Sequence, residues 1–283
     1  MSRNIQDVLK ECESRLSGVD SPRLSAELLA AHALDCSRLT LNLERGRVLT
    51  DDEYAAVNAL VTRREAGEPV AYILGSREFY GLDFAVSPAV LIPRPETEHI
   101  VEAVEQTFSR DQSFCFADLG TGSGILAVTI AVLFPNAQGV AVDVSPAALA
   151  VAKANARAHN VADRLEFHQA DFTRETVKGA FDLVVSNPPY VSESEFAAAS
   201  PEVTAFEPIG ALVSGPDGLD HIRAMLPGVA TMLKPGGRFF MEIGYDQAKM
   251  IIDIIIDKYP RFEGVGVKKD LSGRDRVVSA RKK

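Results

Sequence analysis

Cysteine is scarce in this chain of 283 residues: Cys12, Cys36 and Cys115 are an odd number, far apart, with no C-x-x-C pair. Such spacing excludes a disulfide frame and offers no thiolate cluster to a metal, so packed thiols in a reducing compartment are expected. Long apolar runs are missing as well. The opening MSRNIQDVLKECES lacks the apolar core of a secretory signal, and no run approaches the ~20 residues of a membrane-spanning helix. A cytoplasmic protein without a membrane partner is the expectation. Positive charge is also in deficit, the net charge being −9. Residues 1–98 carry 11 Lys+Arg against 16 Asp+Glu, and residues 99–283 carry 19 against 23. Neither part has the basic footprint that phosphate neutralisation requires, so duplex nucleic acid is not an expected partner. The histidines, His32, His99, His159, His168 and His221, do not cluster at ligand spacing, and no metal centre is expected.

What is present suits a soluble globular protein, with 46% hydrophobic and 24% charged residues in a length that allows one large domain or two. Helical periodicity without strand alternation runs over residues 4–66. Ile5, Val8, Leu9, Cys12 and Leu16 make one stripe. Leu24, Leu28, Leu29 and Ala31 make another, behind Ser21 as cap and Pro22 at the first helical position. Thr50 and Glu53 have capping-box spacing ahead of Tyr54, Val57, Leu60 and Val61. A small helical bundle over residues 1–67 is expected. Across residues 68–98, Gly75, Gly81, Pro88, Pro93 and Pro95 punctuate strand-like pieces at 78–80 and 82–86, which predicts a β-hairpin connector. Residues 99–283 form the third part. From Phe114 apolar runs (FCFADLG, QGVAVDV, LEFHQAD, FDLVVSN, RFFMEIG, RVVSARKK) alternate with helical stretches, including ones near 219–233 and 246–258. That alternation predicts an α/β domain, a Rossmann-like parallel sheet with helices on both faces.

DLGTGSG, residues 118–124, ends the first of these strands and starts its helix. Gly120, Gly122 and Gly124 allow a ligand to approach the backbone where a side chain would clash. A dinucleotide fingerprint wants glycine at 125, which is Ile, so the pattern departs from dehydrogenases. Asp143 ends the second strand, where a carboxylate accepts hydrogen bonds from ribose hydroxyls. With Asp171 and Phe172 after the third strand, a nucleoside site is expected. VVSNPPYV, residues 184–191, then places Asn187 at the end of a buried strand, where open α/β sheets hold ligands. Pro188 and Pro189 stiffen the exit, and Pro188 pushes Asn187 toward extended geometry. The Asn187 side-chain oxygen and the Pro188 carbonyl would accept both hydrogens of a planar –NH2, with Tyr190 lying on its flat face. Either a primary amide or an exocyclic base amine meets that description.

DLGTGSG, Asp143 and NPPY in this order resemble the class I S-adenosylmethionine-dependent methyltransferases that act on planar nitrogen. EPVAYILGSREFYGLDF, LIPRPETE, SNPPYV followed by FEP, and GRDRVV resemble, more narrowly, the protein-(glutamine-N5) methyltransferases that modify the Gly-Gly-Gln glutamine of peptide chain release factors. The likeness runs from about residue 65 to the end. It implies S-adenosyl-L-methionine as cofactor, held by Asp118, Gly120, Thr121, Gly122, Ser123, Gly124, Asp143, Asp171, Phe172 and Asn187. It also implies Asn187, Pro188, Pro189 and Tyr190 as the catalytic turn, class I release factors as the protein substrate, and the helical domain as the part that recognises it. An adenine-N6 methyltransferase is the close alternative, since the same tetrapeptide suits an exocyclic amine, but it would need a basic cleft. Outside the site, Arg94, Glu96 and Glu98 are expected to clamp the connector to the sheet. Ile251 to Ile256 should be a buried helix face, and Arg274-Asp275-Arg276 a solvated turn.

Overall fold

The computed structural model describes residues 3–283, which form two compact units. One comprises the chain through Ser76 together with residues 200–206; the other comprises residues 77–199 and 207–283.

The first unit is helical: α1 (Ile5–Arg15), α2 (Pro22–Ala33), α3 (Arg38–Leu43), α4 (Asp51–Glu65) and α5 (Val70–Leu74). Ile5, Val8, Cys12 and Leu16 are buried against Leu29, Val57 and Val61. The Thr50–Glu53 capping box forms with both reciprocal bonds, satisfying two of the amides that a helix start leaves open. Two expectations need correcting. Ser21 has left-handed backbone geometry and makes no side-chain cap, leaving Pro22 alone to start α2. Leu24 is 42% exposed, because α2 turns Ser25, Ala26, Leu29 and Ala30 inward. α5 is a helical turn in a stretch expected to lead directly into strands. Arg64, 3% exposed, draws residues 200–206 into this unit through an ion pair with Glu202 at 2.8 Å and a bond to the Glu68 carbonyl.

The second unit opens with the hairpin β1 (Ser76–Phe79) and β2 (Leu82–Ala85). Its turn residues Tyr80 and Gly81 both have positive φ, 53° and 75°, matching the twist of a two-residue hairpin. Then follow α6 (Glu98–Glu105), β3 (Cys115–Leu119), α7 (Ile125–Leu133), β4 (Gln138–Asp143), α8 (Pro146–Ala158), β5 (Leu165–Gln169) and β6 (Phe181–Ser186). After α9 (Glu193–Ala197) and α10 (Pro201–Phe206), the latter in the helical unit, come α11 (Asp220–Met232), β7 (Leu233–Glu242), α12 (Ala248–Lys258), β8 (Phe262–Lys269) and β9 (Asp275–Lys282). The sheet order is β5-β4-β3-β6-β7-β9-β8, parallel through β7, with β9 antiparallel to both its neighbours. Side chains alternate across it. Phe116, Leu183 and Val185 join the core under α6 and α7, while Ala117, Leu119 and Val184 join that under α11 and α12. This is the Rossmann-like arrangement with both faces covered.

Ile251 and Ile255 are buried as expected, but Ile256 is 57% exposed, so only one edge of α12 packs. Arg274-Asp275-Arg276 is not a solvated turn throughout. Asp275 opens β9, and Arg276 reaches inward to the Asp270 carboxylate at 3.2 Å.

Candidate active site

The chain builds β4 and β5 on one side of β3, then returns to place β6 on the other. Such a reversal leaves a crevice at the carboxyl ends of the two central strands. Leu119 and Ser186 are paired across β3 and β6, so the next residues, Gly120 and Asn187, leave the sheet side by side. A cavity of about 470 Å³ opens there, in the range of small-molecule sites. Asp118, Gly120, Thr121, Gly122, Ser123, Asp143, Asp171, Phe172, Asn187 and Pro189 line it; Gly124, Pro188 and Tyr190 do not.

Two glycines of the loop serve different ends. Gly120 has φ 73°, and a Cβ there would stand 3.2 Å from the Phe172 ring. Gly124, φ 84°, starts α7, and a Cβ would press on the Ala152 backbone of α8 at 3.2 Å. It is a packing glycine rather than a lining one.

Asp118 is buried under the loop. One carboxylate oxygen, Oδ2, accepts from Thr121 Oγ1 at 2.6 Å and from the Ala127 amide at 3.2 Å. The other, Oδ1, is buried with no hydrogen-bond partner among the described residues. Burial pushes this carboxyl up to about 7, against those two hydrogen bonds. An orphaned acceptor at the wall of a cavity fits a ligand that brings a donor. Asp143 accepts from the Gly122 and Ser145 amides, both at 2.9 Å, which fixes its carboxylate at the cavity wall and leaves lone pairs for a ligand. Asp171 is oriented by Thr173, whose hydroxyl and amide hold its carboxyl below the usual range. Beside Phe172 stands His221, 6.3 Å ring to ring, its pKa lowered by burial and its Nδ1 2.9 Å from Ser214 Oγ. Its contact with the cavity is one the spacing of histidines could not reveal.

The Asn-Pro-Pro-Tyr turn is tethered from behind. Asn187 Nδ2 donates to Thr97 Oγ1 at 3.0 Å, Thr97 Oγ1 donates to Glu242 Oε2 at 2.6 Å, and Tyr190 Oη donates to Glu242 Oε1 at 2.8 Å. Tyr190, expected to lie free against a substrate, is thus fixed by its hydroxyl. Glu242 is fully buried; burial raises its carboxyl above the usual range while the two hydroxyls oppose that rise. Gln247 Nε2 donates to the Tyr190 carbonyl at 2.8 Å, and a Cβ at Gly218 would strike that same oxygen at 2.2 Å. GPDGL, residues 215–219, therefore belongs to the support of the turn.

Two more supports come from residues remote in sequence. Asn155 of α8 accepts from the Ala85 amide and donates to the carbonyls of Ala85 and Ser123, joining hairpin to glycine loop. Arg94 lines the cavity and pairs with buried Glu207 at 2.5 Å, while Glu207 also accepts from the Ile92 amide. The Arg94 clamp thus joins connector to the segment after α10 instead of to the sheet. Glu98 accepts from the Tyr80 amide and holds the hairpin to α6.

A reversal-point crevice walled by a glycine loop, with an Asn-Pro-Pro-Tyr turn across it, places the chain among the Rossmann-like methyltransferases. Residues 97–203 match the methyltransferase small domain and residues 7–75 the PrmC N-terminal domain. A solved methyltransferase from Pyrococcus furiosus shares the fold, with a TM-score of 0.53 at 18% identity over 80% of this chain and 97% of that one. Sequence likeness is far closer to proteins called release factor glutamine methyltransferase. That of Nitratidesulfovibrio vulgaris is 43% identical, covering 98% of this chain and 95% of its own, and that of Koribacter versatilis 44%, covering 100% and 98%. The chain belongs to the release factor glutamine methyltransferase family.

Proposed function

We propose that this protein transfers a methyl group from S-adenosyl-L-methionine to the N5 side-chain nitrogen of the glutamine in the Gly-Gly-Gln motif of class I peptide chain release factors. The observation that carries this reading is the Asn187 amide: its nitrogen is bound to Thr97, which leaves its oxygen as the free end at the cavity. A free oxygen beside a crevice of this kind would be an acceptor for a substrate –NH2.

Asp118 and residues 120–123, with Gly124 packing the loop from behind, would hold the methionine part of the cofactor, Asp143 and Asp171 its ribose side, and Phe172 its adenine. The cofactor, when bound, supplies an electrophilic methyl group. An amide nitrogen is a poor nucleophile, since its lone pair is delocalised into the carbonyl, so the protein's task is to position and polarise it. The Asn187 oxygen at the cavity would hold one amide hydrogen and the Pro188 carbonyl, outside the cavity lining, the other, and orientation of this kind supplies roughly 7–11 kcal/mol in favourable cases. As the nitrogen gains a methyl its hydrogens become more acidic, so these acceptors bind the transition state more strongly than the ground state. No strong base is required, because the nitrogen, once methylated and cationic, gives up one proton to water. Pro189 and the anchored Tyr190 turn keep the acceptors rigid.

The test uses labelled S-adenosyl-L-methionine with a release factor and with its Gly-Gly-Gln Gln→Ala variant. Label should enter only the unaltered factor. Equal labelling of the two would refute the proposal, and labelling of an oligonucleotide instead would revive the exocyclic-amine alternative.

A further inference from the structure

Resting on that function, the geometry points to Thr97 and Glu242 as positioning residues that set which end of the Asn187 amide faces the substrate, making the site selective for a carboxamide over a carboxylate. The argument is one of proton counting. Thr97 has a single hydroxyl proton and Glu242, when ionised, has only acceptors. Glu242 Oε2 lies 2.6 Å from Thr97 Oγ1, and Glu242 Oε1 takes the hydroxyl proton of Tyr190 at 2.8 Å. With its proton committed to the carboxylate, Thr97 has only lone pairs left for Asn187, 3.0 Å away. Asn187 must therefore donate from Nδ2, and Oδ1 becomes the outward end.

Without that commitment the relay has no direction. A Thr97 hydroxyl free to rotate could donate to Asn187 Oδ1, turning the –NH2 outward and setting donor against donor when a glutamine arrives. The outward –NH2 would then suit a carboxylate. Glu242 is well suited to the task. It ends β7, is fully buried, and its charged neighbours, Arg276 on β9 and Glu96 before α6, act on it only through space. The carboxylate is thus closed to bulk solvent, and the Thr97 and Tyr190 hydroxyls are the donors it accepts from. Neither Thr97 nor Glu242 lines the cavity, so both act through Asn187.

Glu242→Gln tests the relay, because the replacement amide can donate to Thr97 and free its proton. With the release factor as substrate, kcat should fall at least tenfold while the cofactor Kd stays within about threefold of the unaltered protein. The deciding readout is selectivity. A release factor carrying Gln→Glu in Gly-Gly-Gln is titrated as a competitive inhibitor, and the ratio of its Ki to the KM of the normal factor should drop at least tenfold in Glu242→Gln. Should Glu242→Gln not fold, Thr97→Val must show the same drop and Thr97→Ser must restore the original ratio. An unchanged ratio in the folded variants, whatever happens to kcat, would leave these residues as scaffold and overturn the relay. Failure of the unaltered protein to label the normal factor would instead bring down the proposed function, and the relay with it.

Discussion

Asp118 holds its proton to about pH 7 in the folded chain, whereas an unfolded aspartate releases it near 4. A raised carboxyl favours the folded state at low pH, and that contribution is lost between about pH 4 and pH 7, with a slope of roughly 1.4 kcal/mol per unit. Asp118→Asn removes the titration. Thermal midpoints of the ligand-free protein should thus fall relative to this variant between pH 5 and pH 8; parallel curves would show that Asp118 titrates normally. Gly120→Ala tests the loop at the same scale. It combines a positive φ with a tight 3.2 Å approach to the Phe172 ring, so the cofactor Kd from calorimetry should weaken at least tenfold. The glycines were legible in the sequence because positive φ favours that residue, and Asn187 because it stands at a strand end before two prolines. Thr97, Glu242 and His221 were not. They are ordinary residue types far apart in the chain, and only the fold makes them neighbours of the turn or the cavity.

At the scale of elements, the strands and helices of the α/β part follow from alternating apolar runs, and the Thr50–Glu53 box was readable from spacing. Thr50→Ala should cost about 1 kcal/mol in chemical denaturation, the usual worth of an N-cap. α2 was harder. A helix rich in alanine offers several faces of similar apolarity, and the bundle chose the one carrying Ala26 and Ala30 over Leu24. The role of the segment before α11 was not legible in the sequence, because its contacts are with residues distant in the chain. Its contact at Tyr190 predicts that Gly218→Ala lowers kcat severely while leaving cofactor affinity nearly intact, since the added carbon displaces the turn and not the loop. Equal losses in both quantities would contradict this. Asn155→Asp should also harm the enzyme, because a carboxylate in place of the amide nitrogen would confront the carbonyls of Ala85 and Ser123.

For the whole molecule, charge and chain order decide different things. A net charge of −9 with no basic segment predicts oligonucleotide binding too weak to register at physiological salt by fluorescence anisotropy. Chain order is less apparent from composition. The return of residues 200–206 to the helical unit depends on Arg64 finding Glu202, a pairing across more than a hundred positions that no local pattern announces. The sheet shows the same thing at its far side. β9 follows β8 in the chain yet lies between β7 and β8, and among the described residues β8 pairs with no other strand. Synthesis therefore delivers β8 before its only partner exists, and the outer edge of β7, with Glu242 at its tip, stays open until then. A nascent chain halted before residue 275 would carry two unmatched edges, a template for aggregation, and should be found in the insoluble fraction.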